Sequence, residues 1–272
     1  MMKVGRAAGR WAEALGAWAI PPEILARAPE DPYALPVAPF ARAAADAGDI
    51  VTPSRRVALD ALPDGGGVLD VGCGAGAAGL ALAPPAAVVV GVDESAAMLE
   101  RFDAIADERG ADHRAILGRW PDVAAGVEPA DVVVCHHVLY NVADVELFVR
   151  ALDEHARRRV VVEITADHPR AWMNPFWEEF WGIERPASPT ADGAVALLEE
   201  MGLDPRTERW EAPGRMTDHA EVIPMLRRAL CLPAEREHEV ADALARIGRP
   251  AAREVMTLWW PGLQDRVSRR SG

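Results

Sequence analysis

Three groups of residues in this 272-residue chain have types and spacing suited to chemistry. The first is the stretch VLDVGCGAGAAGL at 68–80. An apolar run leads straight into Gly72, Gly74 and Gly76, which remove side chains where a backbone must turn tightly and let a ligand touch it. The second is a set of carboxylates: Asp70 just before the glycines, and Asp93 with Glu94 about twenty residues on. The third is the imidazole pair His136-His137, whose rings titrate near neutral pH and suit acid–base work.

A glycine loop between a strand and a helix is a nucleotide-type cofactor site, because open α/β sheets bind ligands at the carboxyl ends of their strands. Gly72-x-Gly74-x-x-Ala77 also fits the dinucleotide fingerprint, with Asp93 at about the right distance to hold a ribose. Asp70 shifts the balance. Its carboxylate would repel a pyrophosphate and attract an ammonium, which favours S-adenosylmethionine over NAD. A nicotinamide-dependent oxidoreductase stays as an alternative.

These groups need elements to position them. Short apolar runs at 68–71, 87–92, 114–117, 131–135 and 160–164 read as buried strands. Helical patterns near 75–83, 94–109 and 143–157 lie between them, and the alternation predicts a parallel sheet covered on both faces. Residues 1–55 read as helical pieces broken by proline: an amphipathic helix over 11–20, a rigid loop over 29–39, and a helix starting at Thr52-Pro53. Beyond the core, 166–190 is rich in aromatics and proline. A helix is expected at 192–201, a strand at 207–211, helices at 217–231 and 234–247, a last strand at 253–260, and a frayed polar tail at 263–272. The domain reading is a cap at 1–55, a cofactor-binding domain at 56–262 with an aromatic lid at 166–190 and a helical elaboration at 217–247, and the tail.

Composition narrows the function. Twenty-nine basic against 42 acidic residues leave a net charge of −13, which disfavours a nucleic-acid partner. No apolar run approaches the ~20 residues of a membrane span. Cys73, Cys135 and Cys231 form no CxxC pair, so neither a zinc site nor a dithiol centre is expected. A cytoplasmic protein is expected.

Four motifs in order carry a family resemblance: DVGCGAG at 70–76, VVVGVDESAAMLE at 88–100, ILGRWPDV at 116–123 and ADVVVCHHVLYNV at 130–142. The chain resembles the class I S-adenosylmethionine-dependent methyltransferases over about 68–165. The resemblance implies a Rossmann-like, seven-stranded, mostly parallel sheet with an antiparallel last strand, helices on both faces and, here, an N-terminal helical cap. It implies that Asp70 and the backbone of Gly72, Cys73, Gly74 and Gly76 hold the methionine portion of the cofactor. It gives Asp93, with Glu94, the ribose, and Met98 the adenine. Arg119 and Trp120 stand where relatives carry other residues at the adenine, and Trp120 is suited to stack there. His136 is expected near the methionine chain. His137 is the candidate catalytic base. The product would be S-adenosylhomocysteine.

The expected acceptor is a small, apolar molecule, walled by Trp172, Phe176, Trp177, Phe180 and Trp181 together with Trp11, Trp18, Tyr33 and Phe40; ordinary core packing is the alternative for these aromatics. A protein or RNA acceptor is the other alternative. Asn174-Pro175-Phe176-Trp177 resembles a motif of adenine methyltransferases but falls after the fifth strand, and is read as coincidence. Arg55-Arg56 is read as an exposed face, and Arg157-Arg158-Arg159 as a helix end.

Overall fold

In the computed structural model, residues 5–34, 36–214 and 218–271 are described. Helices α1 (Arg6–Gly16), α2 (Pro22–Leu25), α3 (Val37–Asp46) and α4 (Pro53–Leu59) precede the sheet. The expected loop at 29–39 ends earlier than read, because α3 begins at Val37. Pro39 sits in its first turn, where an N–H has no partner to lose. The first helix likewise runs over Arg6–Gly16 rather than 11–20. Thr52 caps α4 as its residue types require, its hydroxyl accepting from Arg55 N–H at 3.1 Å.

The core then alternates as expected: β1 (Gly67–Val71), β2 (Val88–Asp93), α5 (Ala96–Arg109), β3 (His113–Leu117), β4 (Ala130–His136), α6 (Val145–His155) and β5 (Ala156–Thr165). After it come α7 (Asn174–Trp181), α8 (Ala191–Glu200), β6 (Arg206–Pro213), α9 (His219–Ala229), α10 (Glu237–Ile247), β7 (Ala252–Pro261) and α11 (Leu263–Ser271). The seven strands form one sheet in the order β3-β2-β1-β4-β5-β7-β6, with β7 antiparallel to both neighbours.

Three expectations need correction. No regular helix succeeds the glycines at 75–83; the chain makes turns and a short 3-10 segment at Leu80–Leu82. The N–H of Gly79 is taken by the Asp70 carboxylate at 2.7 Å instead of a helical ladder, and Pro84-Pro85 ends the segment. Arg157-Arg158-Arg159 opens β5 rather than ending a helix. The tail at 263–272 is not frayed: α11 occupies 263–271, and the guanidinium of Arg266 holds Asp153 at 2.8 Å. Its polar sequence hid it, since that sequence carries no apolar stripe. Thr217, placed in a helix by sequence, lies outside the described residues; α9 starts at His219, capped by Asp218.

Strand periodicity sorts the core into two faces. Val68, Val132, Val134 and Val161 point to the side covered by α4 and α5. Leu69, Val71, Val133, Cys135, Val160 and Val162 point to the side covered by α1, α6 and α8. A third apolar cluster, built by α2, α7, α9 and α10 around Phe176, Trp177 and Leu226, stands apart from the sheet.

Candidate active site

The carboxyl ends of β1, β2 and β4 open into a cleft of about 890 Å³. Glycine is required at its first turn. Gly72 has φ +69°, and a Cβ there would stand 2.4 Å from Val138 Cγ2. Gly74, at φ +52°, faces open space and leaves the backbone accessible. Gly76 does not line the cleft. A Cβ there would meet Leu80 and Phe102 at 2.5–2.8 Å, so it lets the turn pack on α5.

Asp70 lies at the floor, 1% exposed. One of its oxygens accepts from Gly79 N–H; the other, Oδ1, is buried without a hydrogen-bond partner. Burial pushes its carboxyl up to about 7, against the bond from Gly79 and with help from the negative charge of Asp93. A buried carboxyl oxygen with no donor fits a cationic group and not a phosphate. Asp93, at the end of β2, accepts from Gly74 N–H at 2.8 Å and Ser95 N–H at 2.9 Å, tying the two loops together.

Cys73, Glu94, Met98, Arg119, Trp120, His136 and His137 also line the cleft. Trp120 is buried, edge-on to His155 at 4.8 Å. Burial, with Asp70 and Asp93 nearby, pushes the Cys73 thiol far up, so it offers no thiolate. Among the described residues, no cluster of His, Cys, Asp and Glu is arranged to hold a metal ion.

The strongest feature here was not singled out from sequence. Sheet register sets His136 beside Glu163 and Glu163 beside Thr257, a polar row across β4, β5 and β7. Glu163 Oε2 accepts from the Ser54 hydroxyl at 2.6 Å, and Ser54 lies 2.7 Å from Thr257 Oγ1. Glu163 Oε1 lies 3.0 Å from His137 Nε2. Burial alone would raise this carboxyl. The neighbouring imidazoles of His136 and His137 and the hydrogen bonds from His137 and Ser54 outweigh it and hold Glu163 well below the usual carboxylate range. His137 adopts φ +61°, a left-handed conformation costing a β-carbon-bearing residue roughly 1–2 kcal/mol. Its other ring nitrogen, Nδ1, lies 2.7 Å from the Tyr140 hydroxyl. The clue was a lone Glu inside the apolar run VVVEIT.

A second cavity of about 650 Å³ adjoins the cleft. Pro39, Phe40, His137, Asn141, Arg170, Gly214 and Arg253 line both. Of the aromatics read from sequence, Phe40 and Trp172 line this cavity; Phe176, Trp177, Phe180 and Trp181 pack the third apolar cluster instead. Trp11 donates to Val142 O within the main core, and Trp18 stacks on His168 at 3.8 Å. Asn174 donates to the carbonyls of Arg185 and Pro186 and lines neither cavity, in line with a purely structural NPFW run. Arg55 lines the cleft but donates to the carbonyls of Gly48 and Ile50, and Arg56 pairs with Glu208.

Residues 68–159 match the sequence profile of a methyltransferase domain. Among solved structures, the YcgJ protein of Bacillus subtilis superposes with a TM-score of 0.53 at 18% identity, over 77% of this chain and 97% of its own. A candidate methyltransferase from Bacillus halodurans C-125 superposes with a TM-score of 0.52 at 16% identity, over 76% of this chain and 96% of its own. A search of curated proteins finds no match. The fold is therefore the Rossmann-like methyltransferase fold, and residues 68–159 carry the match to a methyltransferase domain.

Among the described residues, no helix is long and apolar enough to cross a membrane.

Proposed function

We propose that this enzyme methylates a small molecule with an apolar body, held in the second cavity with its accepting atom toward the cleft. The observation that carries the reading is the junction of the two cavities at Phe40, His137 and Asn141. Bound in the cleft, S-adenosylmethionine supplies an electrophilic methyl on a sulfonium. Asp70 and the backbone of Gly72, Cys73 and Gly74 would hold its amino-acid end, with Gly76 shaping the turn. Asp93 and Glu94 would hold the ribose, Met98, Arg119 and Trp120 would border the adenine, and His136 would lie near the methionine chain.

The chain's own chemistry is then positioning, exclusion of water and removal of a proton. Ionised Glu163 accepts from His137 Nε2–H, which leaves the lone pair of the neutral ring on Nδ1, facing the Tyr140 hydroxyl. A proton leaving the acceptor passes to His137 Nδ1, directly or through the Tyr140 oxygen. His137 is the base in this reading; Glu163 and Tyr140 position it.

Calorimetric titration with S-adenosylhomocysteine, with NAD in parallel, tests the cofactor site. Binding of the homocysteine adduct that weakens in Asp93→Ala supports it, whereas binding of NAD alone refutes it. For the base, His137→Asn keeps a residue type tolerant of positive φ. Turnover unchanged across neutral pH in that variant would remove His137 from the mechanism.

A further inference from the structure

Four arginines line the second cavity: Arg170 after β5, Arg228 on α9, and Arg249 and Arg253 on either side of the start of β7. Arg228 donates to the carbonyl of Ala34 at 2.9 Å. Arg170 lies over the Tyr33 ring and Arg249 over the Trp172 ring, at 5.2 and 5.1 Å. Arg253 Nη2 stands 3.4 Å from His137 Nε2, and its Nε is buried with no hydrogen-bond partner. Among the described residues, Arg170, Arg228 and Arg253 make no ion pair.

Only two carboxylates line this cavity among the described residues, Asp167 and Glu254. Glu254 is held by Arg209. Asp31 acts on Arg170 from outside the cavity wall. His168, also on the wall, is kept neutral near neutral pH: burial and the charges of Arg170 and Arg185 push it down to about 3. Burial and the neighbouring Arg253 lower Arg249. The cavity is thus positive inside a chain of net charge −13. Gathering guanidinium groups in a half-buried space is costly, and an oxyanion is what their fork geometry fits.

We propose that the acceptor carries an oxyanion, a carboxylate or a phosphate, gripped by Arg170, Arg249 and Arg253, with its apolar body against Phe40, Trp172 and Met225. The proposal rests on the small-molecule reading above and adds the charge of the substrate. The two basic residues nearest the cleft, Arg170 and Arg253, then set the distance from the anionic group to the accepting atom beside His137.

The test is a calorimetric titration of the full chain with phenylacetate, phenyl phosphate and neutral phenylacetamide, with and without saturating S-adenosylhomocysteine. The expected result is that at least one anion binds about tenfold or more tightly than the amide. The preference should vanish in Arg249→Gln and Arg170→Gln and persist in Arg249→Lys, while S-adenosylhomocysteine affinity in these variants stays near wild type. The stronger anion identifies carboxylate or phosphate as the preferred group. Equal binding of amide and anion, a preference that survives both glutamine variants, or no anion binding at millimolar concentration would each overturn the proposal. Failure of the wild type to bind S-adenosylhomocysteine would strike the cofactor reading instead, and the anion preference measured without it would still decide this one.

Discussion

Asp70→Asn separates what the carboxylate costs the fold from what it gives the ligand. The buried carboxyl titrates at about 7 in the folded protein, against an ordinary 3.8 in the unfolded chain. A group whose folded pKa is raised makes the fold lose stability as pH rises between the two values. The loss starts near pH 4 and is complete above pH 7. The difference corresponds to roughly 4 kcal/mol of penalty on the ionised form. Asparagine keeps an oxygen for Gly79 N–H and carries no charge, so the variant should gain about 4 kcal/mol over wild type at pH 8 and less than half of that at pH 5. Urea unfolding at the two pH values reads this directly. The same variant should bind S-adenosylhomocysteine at least about tenfold more weakly, because the ligand's ammonium loses its charged partner. Binding to wild type near pH 6.5 should release a proton, visible as a dependence of the calorimetric heat on buffer ionisation. A variant no more stabilised at pH 8 than at pH 5, or one that binds the ligand as tightly as wild type, would refute the assignment of Asp70 as the counter-charge.

Three further outcomes are expected. Glu163→Gln should destabilise the protein by about 2–3 kcal/mol, since the Ser54 hydroxyl and His137 Nε2–H lose a charged acceptor; chemical denaturation at neutral pH measures it, and a loss below about 1 kcal/mol would mean the row does not hold together through Glu163. His168 titrates at about 3 rather than 6.5 in the fold, so stability should fall as pH drops from 6.5 toward 3, by about 2 kcal/mol between pH 6.5 and 5. His168→Phe should flatten that slope in urea midpoints, and an unchanged slope would assign it elsewhere. Trp177→Ala should cost about 3–5 kcal/mol yet leave acceptor affinity intact in the folded fraction, because Trp177 packs the third apolar cluster and not the cavity wall; an affinity loss equal to that of Trp172→Ala would contradict the placement.

Much of the molecule was legible because its signals are local. The strands are runs of β-branched residues, and the glycine loop announces itself by composition. Asp70 and Asp93 stand at fixed offsets from it. Three things were not local. The helix at 75–83 failed because a side chain, Asp70, captured a backbone N–H that propensity assigned to a ladder. The row His136, Glu163 and Thr257 depends on register among three strands whose residues lie up to 121 positions apart in sequence, and no pattern within one strand encodes that pairing. The arginines of the second cavity come from three separated segments, so each alone reads as a surface charge. The aromatics at 172–181 show the reverse: their spacing was clear, but spacing fixes which residues share a helix face and not what that face meets.

The position of β7 between β5 and β6 has a consequence for how the molecule comes into being. During synthesis, β6 emerges some forty residues before β7, the one strand it pairs with among the described residues. It must wait unpaired until residues 252–261 are made. Those same residues bring Thr257 to the polar row and Arg253 to the junction of the cavities. A chain cut short before 252 would keep the glycine loop but lack one wall of the acceptor cavity and a strand of its sheet. Synthesis of β7 therefore completes the sheet and that wall together, and chains ended before it are marked by an open sheet edge that proteases can find.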